Sequence, residues 1–197
     1  MITCGTIAAT DTTLTRASAG VLAVEGVNVA TVNDLSTIWV DSGAMAPFAT
    51  SGAAAVTTTL ATNGIPVDEY AFDASAIEKV AFKLTPPTGW DGSTLTAKFY
   101  WRTTATSGNC VWTIAAIRAA DAANPDITLG TAQSVTDGAQ STANFQAISS
   151  ATSNIAPSGS AATSGAILYI VVTRDATNGS DTLASDALLD GVLLTWK

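Results

Sequence analysis

The chain has 197 residues, room for one domain or for one domain with an appendage at ~100 to 200 residues per domain; its net charge is −8, 12% of its residues are charged, and it has no histidine. The acidic balance supplies no basic stripe to neutralise phosphates, so nucleic acid is not an expected partner. The missing histidine excludes Ser-His-Asp and Cys-His arrangements.

Hydrophobic residues reach 47%, but 37 of them are alanine. The core is therefore lean, and the abundance of Thr, Ala, Ser and Gly favours sheets over helices. The first ten residues, MITCGTIAAT, have neither a basic n-region nor an apolar h-region, so no secretion signal is read and synthesis is expected to be intracellular. Residues 12 to 34, TTLTRASAGVLAVEGVNVATVND, carry Leu14, Val21, Val24, Val27, Val29 and Val32 without an aromatic residue and without a helical period. This stretch is too short to own a core. No aromatic residue precedes position 36, whereas all five Trp, all five Phe and all three Tyr follow it. The chain is therefore read as an arm, 1–36, and a globular domain, 37–197, with the apolar positions of the arm assigned to assembly.

Short runs of alternating polarity bounded by turn residues mark strands along the second part. They are read at 37–40, 67–73, 111–117, 133–136, 145–149, 167–174 and 188–196. IEKVAFKLT sets Val80, Phe82 and Leu84 against Lys79, Ala81 and Lys83, and ends where Pro86-Pro87 removes ladder donors. TLTAKFYWR sets Leu95, Ala97, Phe99 and Trp101 against Thr96, Lys98, Tyr100 and Arg102. The two are expected to form a hairpin through the loop PPTGWDGS. The Ala-rich CVWTIAAIRAADAAN fits a helix or a strand; strand is chosen, with a loop from Asp121. AILYIVVTR is apolar on both faces and is placed at the centre of a sheet. About ten short strands predict an all-β fold, an antiparallel jelly-roll-like β-sandwich, carrying an extended N-terminal β arm. The longest uncharged run, 138–173, is too polar throughout to span a bilayer core.

Candidate chemistry is sparse. Asp68, Glu69, Asp73 and Glu78 are the nearest carboxylate cluster, but alternation puts Asp68 and Glu69 on opposite faces, which does not build the acid pair of a glycosidase. Asp175, Asn178, Asp181 and Asp186 could supply oxygen ligands, yet their spacing departs from a calcium loop, and a hairpin loop with Asn178-Gly179 at positive φ is preferred. Cys4 and Cys110 read as small hydrophobes. No catalytic residue, metal or cofactor is expected. Trp90, in the PPTGWDGS loop, is the candidate ligand-loop residue, because an exposed indole there could stack on a sugar; the competing reading folds it back over the open end of the sandwich. Trp39, Trp101, Trp112 and Trp196 are assigned to the core or to a subunit interface.

The stretch DTTLTRASAGVLAVEGVNVAT resembles segments of bacteriophage and prophage tail-fibre and related virion proteins. TLTAKFYW, LGTAQSVTD and RDATNGSDTLASDALLDGVLL resemble a family of phage structural proteins. The resemblance implies a non-enzymatic virion component made in the host cytoplasm, an outward-facing homo-oligomer, expected to be a trimer, that contacts other virion proteins. The chain is expected to be complete at this length, and the long shaft or adaptor that tail fibres usually need is not read in it. A capsid-decorating (cement) or short head-fibre protein on the major capsid protein is favoured over a tail-fibre or receptor- and glycan-binding module, with a carboxylate glycosidase a remote third.

Overall fold

In the computed structural model the chain divides into two compact units, Met1–Ser36 and Thr37–Lys197. The structure describes residues 14–18, 21–24, 27–29, 37–87, 89–160 and 165–197, and for the first three of these stretches the backbone alone. The first unit holds a three-stranded antiparallel meander: β1 (Leu14–Ser18), β2 (Val21–Val24) and β3 (Val27–Val29). Leu14 pairs with Val24 and Val24 with Val27, while Leu22 pairs with Val29. The side chains of Leu14, Val21, Val24, Val27 and Val29, and Val32 altogether, lie outside the described residues.

The second unit is an antiparallel β-sandwich. Apart from one 3-10 turn, Ser42–Ala44, its described residues contain no helix. Its strands are β4 (Thr37–Asp41), β5 (Ala46–Pro47), β6 (Ala54–Leu60), β7 (Ile65–Phe72), β8 (Ile77–Leu84), β9 (Leu95–Arg102), β10 (Asn109–Ala119), β11 (Gln133–Gly138), β12 (Ala147–Ile148), β13 (Ser158–Gly159), β14 (Ile167–Asp175) and β15 (Ala187–Trp196). Sheet I runs β11-β10-β14-β8-β5, with the short β13 beside β10; sheet II runs β12-β9-β15-β7-β6, with β4 also pairing β15. β14 lies at the centre of sheet I, where its doubly apolar pattern places it. The Ala-rich segment is strand β10: Trp112, Ile114 and Ala116 point into the core, and both edges of the strand find ladder partners.

The expected hairpin between residues 77–84 and 95–102 does not form. β8 pairs β14 in sheet I and β9 pairs β15 in sheet II, so the PPTGWDGS loop carries the chain from one sheet to the other. Two apolar faces that both need covering gain more by facing each other across the core than by lying side by side. The loop before β15 behaves likewise, joining β14 in sheet I to β15 in sheet II. Asn178-Gly179 is not a positive-φ hairpin turn, for neither residue is among those in the left-handed region. Asn178 instead accepts the Ser180 amide at its side-chain oxygen, 3.0 Å. Sequence reading also passed over β6, AAVTTTL, because its small residues alternate weakly.

Between the sheets lie Phe72, Phe99, Trp101, Leu189, Val192 and Leu194 from sheet II and Val80, Phe82, Trp112, Ile114, Leu168, Ile170 and Val172 from sheet I. Trp112 is the hub. It meets Phe72 edge-on at 5.1 Å, stacks on Phe99 at 5.5 Å and meets Trp101 at 6.1 Å. Aromatic pairs of this kind contribute ~0.5 to 1.5 kcal/mol each beyond area burial, which offsets the scarcity of large aliphatic residues.

Candidate functional site

The 175–186 segment is organised around Arg174, whose side chain is fully buried. Its five N–H donors are all used: Nε and one Nη2 donor reach Asp181 at 3.1 and 2.9 Å, and the others reach the carbonyls of Phe72, Leu183 and Ser185. Asp181 also accepts the Val111 amide at 2.9 Å. Its carboxylate is thereby committed to a guanidinium, and among the described residues no group of carboxylates and cysteines is arranged to hold a metal ion. Cys110 lies buried nearby, and burial pushes its thiol well up, leaving it unreactive. Asp73 caps the turn after β7, accepting from the amides of Ser75 and Ala76, while Glu78 accepts the Asp73 amide at 2.7 Å. Asp68 accepts from the Thr57 hydroxyl at 2.6 Å, on the opposite side of β7 from Glu69. These carboxylates serve turns and strand pairs.

Trp90 is half-buried. Its Nε1 donates to the Thr94 carbonyl at 3.2 Å, its ring meets Trp196 at 5.0 Å, and the Arg118 guanidinium lies 5.8 Å from its centroid. The indole thus caps the end of the sandwich.

The outward face of sheet II has a different character. It carries apolar residues among its polar ones: Val56, Val67, Leu188 and Leu193 are half-buried, and Ile65 and Ile148 are exposed. Trp39, on β4, is 44% exposed and meets Tyr100 of β9 edge-on, with centroids 4.8 Å apart. The ring rests on Gly191 of β15, where an added Cβ would sit 2.7 Å from Trp39 Cη2 and closer still to Cζ2. Only a glycine leaves this space, so the strand itself forms the seat of the indole.

Immediately before Gly191 the ladder is irregular. Leu189 pairs with Trp101 and Gly191 with Tyr100, so Asp190 is the extra residue of a β-bulge. At the same point β15 exchanges its other neighbour, from β7, paired at 187–189, to β4, paired at 191–195. Into this junction project Glu69 from β7 and Arg102 from β9. The guanidinium grips Glu69 side-on, Nε to Oε1 at 2.6 Å and Nη2 to Oε2, and both groups are buried. Asp190 lies beside Glu69 and Gln146 at this junction; burial first, and then the interaction of its protonated form with Glu69, push its carboxyl up to about 6. An exposed aromatic platform therefore adjoins a preorganised polar cluster.

No protein-family model matches the sequence, and no curated protein matches it. Among solved structures the chain is similar to a family 11 carbohydrate-binding module from Clostridium thermocellum in complex with a β-1,3-1,4-mixed-linked tetrasaccharide, at 9% identity and a TM-score of 0.45, over 81% of this chain and 95% of that one. It is also similar to the mannan-recognising module TmCBM27, at 11% identity and a TM-score of 0.34, over 82% and 99%.

The sequence reading did not single out Tyr100, Arg102, Gln146, Asp190 or Gly191, and it assigned Trp39 to a core or an interface. The available signal was Asp-Gly interrupting the apolar run of ALLDGVLLTW, which is how a bulge or a close approach is written inside a strand.

Proposed function

We propose that the outer face of sheet II binds carbohydrate and that the protein is a non-catalytic glycan- or receptor-binding module. The observation that carries this reading is the exposed Trp39, seated on Gly191 and braced by Tyr100, one residue along the sheet from the Glu69–Arg102–Asp190 cluster. A pyranose offers an apolar C–H face to a ring and hydroxyls to fixed polar groups. This surface offers both complements, and it holds them on strands rather than loops, where little ordering is needed on binding. The pair Glu69 and Asp190 does not suit hydrolysis: both oxygens of Glu69 are held by the buried Arg102 guanidinium, which leaves one carboxyl free where a glycosidase needs two. The test is affinity electrophoresis and calorimetry on soluble polysaccharides. Trp39→Ala is expected to weaken binding at least ~tenfold while leaving the circular dichroism unchanged. Undiminished binding by that variant removes this face from the reading.

A second reading, the virion assembly role, is favoured by the first unit. A unit of 36 residues with strands of five, four and three residues is below the ~40 residues at which small folds need help from disulfides, metals or oligomerisation. On this reading residues 1–36, including Leu14, Val21, Val24, Val27, Val29 and Val32, join copies of the chain, as a trimer, or attach it to other virion proteins. Mass determination in solution tests it: the full chain is expected to be trimeric and the 37–197 fragment monomeric, and a monomeric full chain that also fails to bind phage particles overturns it.

A further inference from the structure

Resting on the glycan reading, we propose that the ligand is an uncharged glycan and that the ionised carboxylate of Asp190 accepts one of its hydroxyls, so that acid releases it. The charged groups around Asp190 come from every strand packed against it. Glu69 from β7 and Arg102 from β9 are committed to each other through two hydrogen bonds. Asp41 on β4, opposite Gly191, has its carboxylate turned to the Gly43 amide at 2.9 Å. Lys98 on β9 lies farther along, opposite Leu193, and Gln146 is neutral. Beside Asp190 itself, Glu69 and Arg102 cancel, so the ionised Asp190 leaves one net negative charge, and the cation nearest it is already paired. An anionic sugar meets net negative charge here; a hydroxyl meets an acceptor.

Asp190 is suited to that acceptor role. A carboxylate has about four lone-pair positions; once ionised it finds no donor on Glu69, itself a carboxylate held by Arg102, and the Gln146 amide nitrogen also donates to the carbonyls of Trp101 and Ala147. The bulge sets the group beside Gly191, hence beside the ring of Trp39, so one sugar residue can lie on the indole while its hydroxyl reaches the carboxylate. Burial and Glu69 raise this carboxyl to about 6, against the opposing pull of Gln146 and Arg102. At pH 7.5 it is ionised and accepts; at pH 5 about one molecule in ten is, so the affinity of a ligand that requires the ionised form falls about tenfold.

The experiment is calorimetry on the full chain with a soluble β-glucan, a galactomannan and a dextran as neutral probes and polygalacturonate as the acidic one, at pH 7.5 and pH 5. A neutral polymer is expected to bind at pH 7.5 and about tenfold more weakly at pH 5, and polygalacturonate is expected not to bind. Asp190→Asn is expected to bind more weakly at pH 7.5 and to lose the pH dependence, and the 13C titration midpoint of the Asp190 carboxyl in the wild type is expected to move down when polymer is added. Neutral binding with equal affinity at both pH values, an unmoved midpoint, or binding of polygalacturonate overturns this inference and leaves the glycan reading standing. Failure of all four polymers at pH 7.5 overturns both.

Discussion

Gly191→Ala should unseat the indole on which the proposed site depends. An alanine Cβ at this position would lie 2.7 Å from Trp39 Cη2, nearer still to Cζ2, and 2.6 Å from the carbonyl oxygen of Val40. Real Cβ contacts do not approach this closely, and the two obstacles differ in kind. The ring can swing away, at the cost of its edge contact with Tyr100, ~0.5 to 1.5 kcal/mol. The Val40 oxygen belongs to the β4 backbone, paired to β15 at Val192, and moves only if the strand moves. Overpacking of this sort costs ~1 to 3 kcal/mol, so about 2 to 4 kcal/mol is expected in all, or roughly 5 to 15 °C in Tm for a unit of this size. Thermal melts of Gly191→Ala, Trp39→Ala and the double variant supply the assay. Because Trp39→Ala removes the ring obstacle, the double variant should lose less than the sum of the singles, the difference being the coupling between the two positions. A Gly191→Ala protein that melts within 1 °C of wild type, or additive losses, would refute the seat of the indole and with it the binding platform.

Arg174→Met should destabilise by ~3 to 5 kcal/mol, since Asp181 would be left charged and buried, and urea melts should show Arg174→Met/Asp181→Leu recovering part of that loss. In a Cys4→Ser background, Cys110 should resist thiol reagents at pH 8 in the native protein and react on addition of denaturant, because burial holds its thiol neutral; rapid labelling without denaturant would contradict the packing around it. Folding raises the Asp190 carboxyl from 3.8 to about 6, so its contribution to stability is fully present below the lower value and is lost as pH rises through the upper one. Asp190→Asn should therefore melt higher than wild type at pH 8, by ~1 kcal/mol once partial solvent exposure is allowed for, and level with it at pH 4.

Sequence alone determined the class of this fold, because strand periodicity and turn chemistry are local. Val80 and Phe82 alternate with Lys79, Ala81 and Lys83, and Phe99 and Trp101 with Lys98, Tyr100 and Arg102, and each of these four apolar residues is buried as the alternation requires. The central place of β14 follows from a strand whose two faces both resist water. Pairing was not legible in the same way. Whether IEKVAFKLT lies beside TLTAKFYWR or across from it depends on what else can cover their apolar faces, and only the assembled sandwich supplies β14 for the one and β15 for the other. The candidate site belongs to this second category. Trp39, Glu69, Tyr100, Arg102, Gln146 and Asp190 are spread over 152 positions of the sequence, and nothing in their spacing relates them. They meet because β15 exchanges one neighbour for another at a bulge, and a bulge is a relation between strands. Asp190-Gly191 signals the irregularity locally; which aromatic ring comes to rest on the glycine, and which carboxylate shares the space beside it, is decided by the tertiary packing of strands distant in sequence.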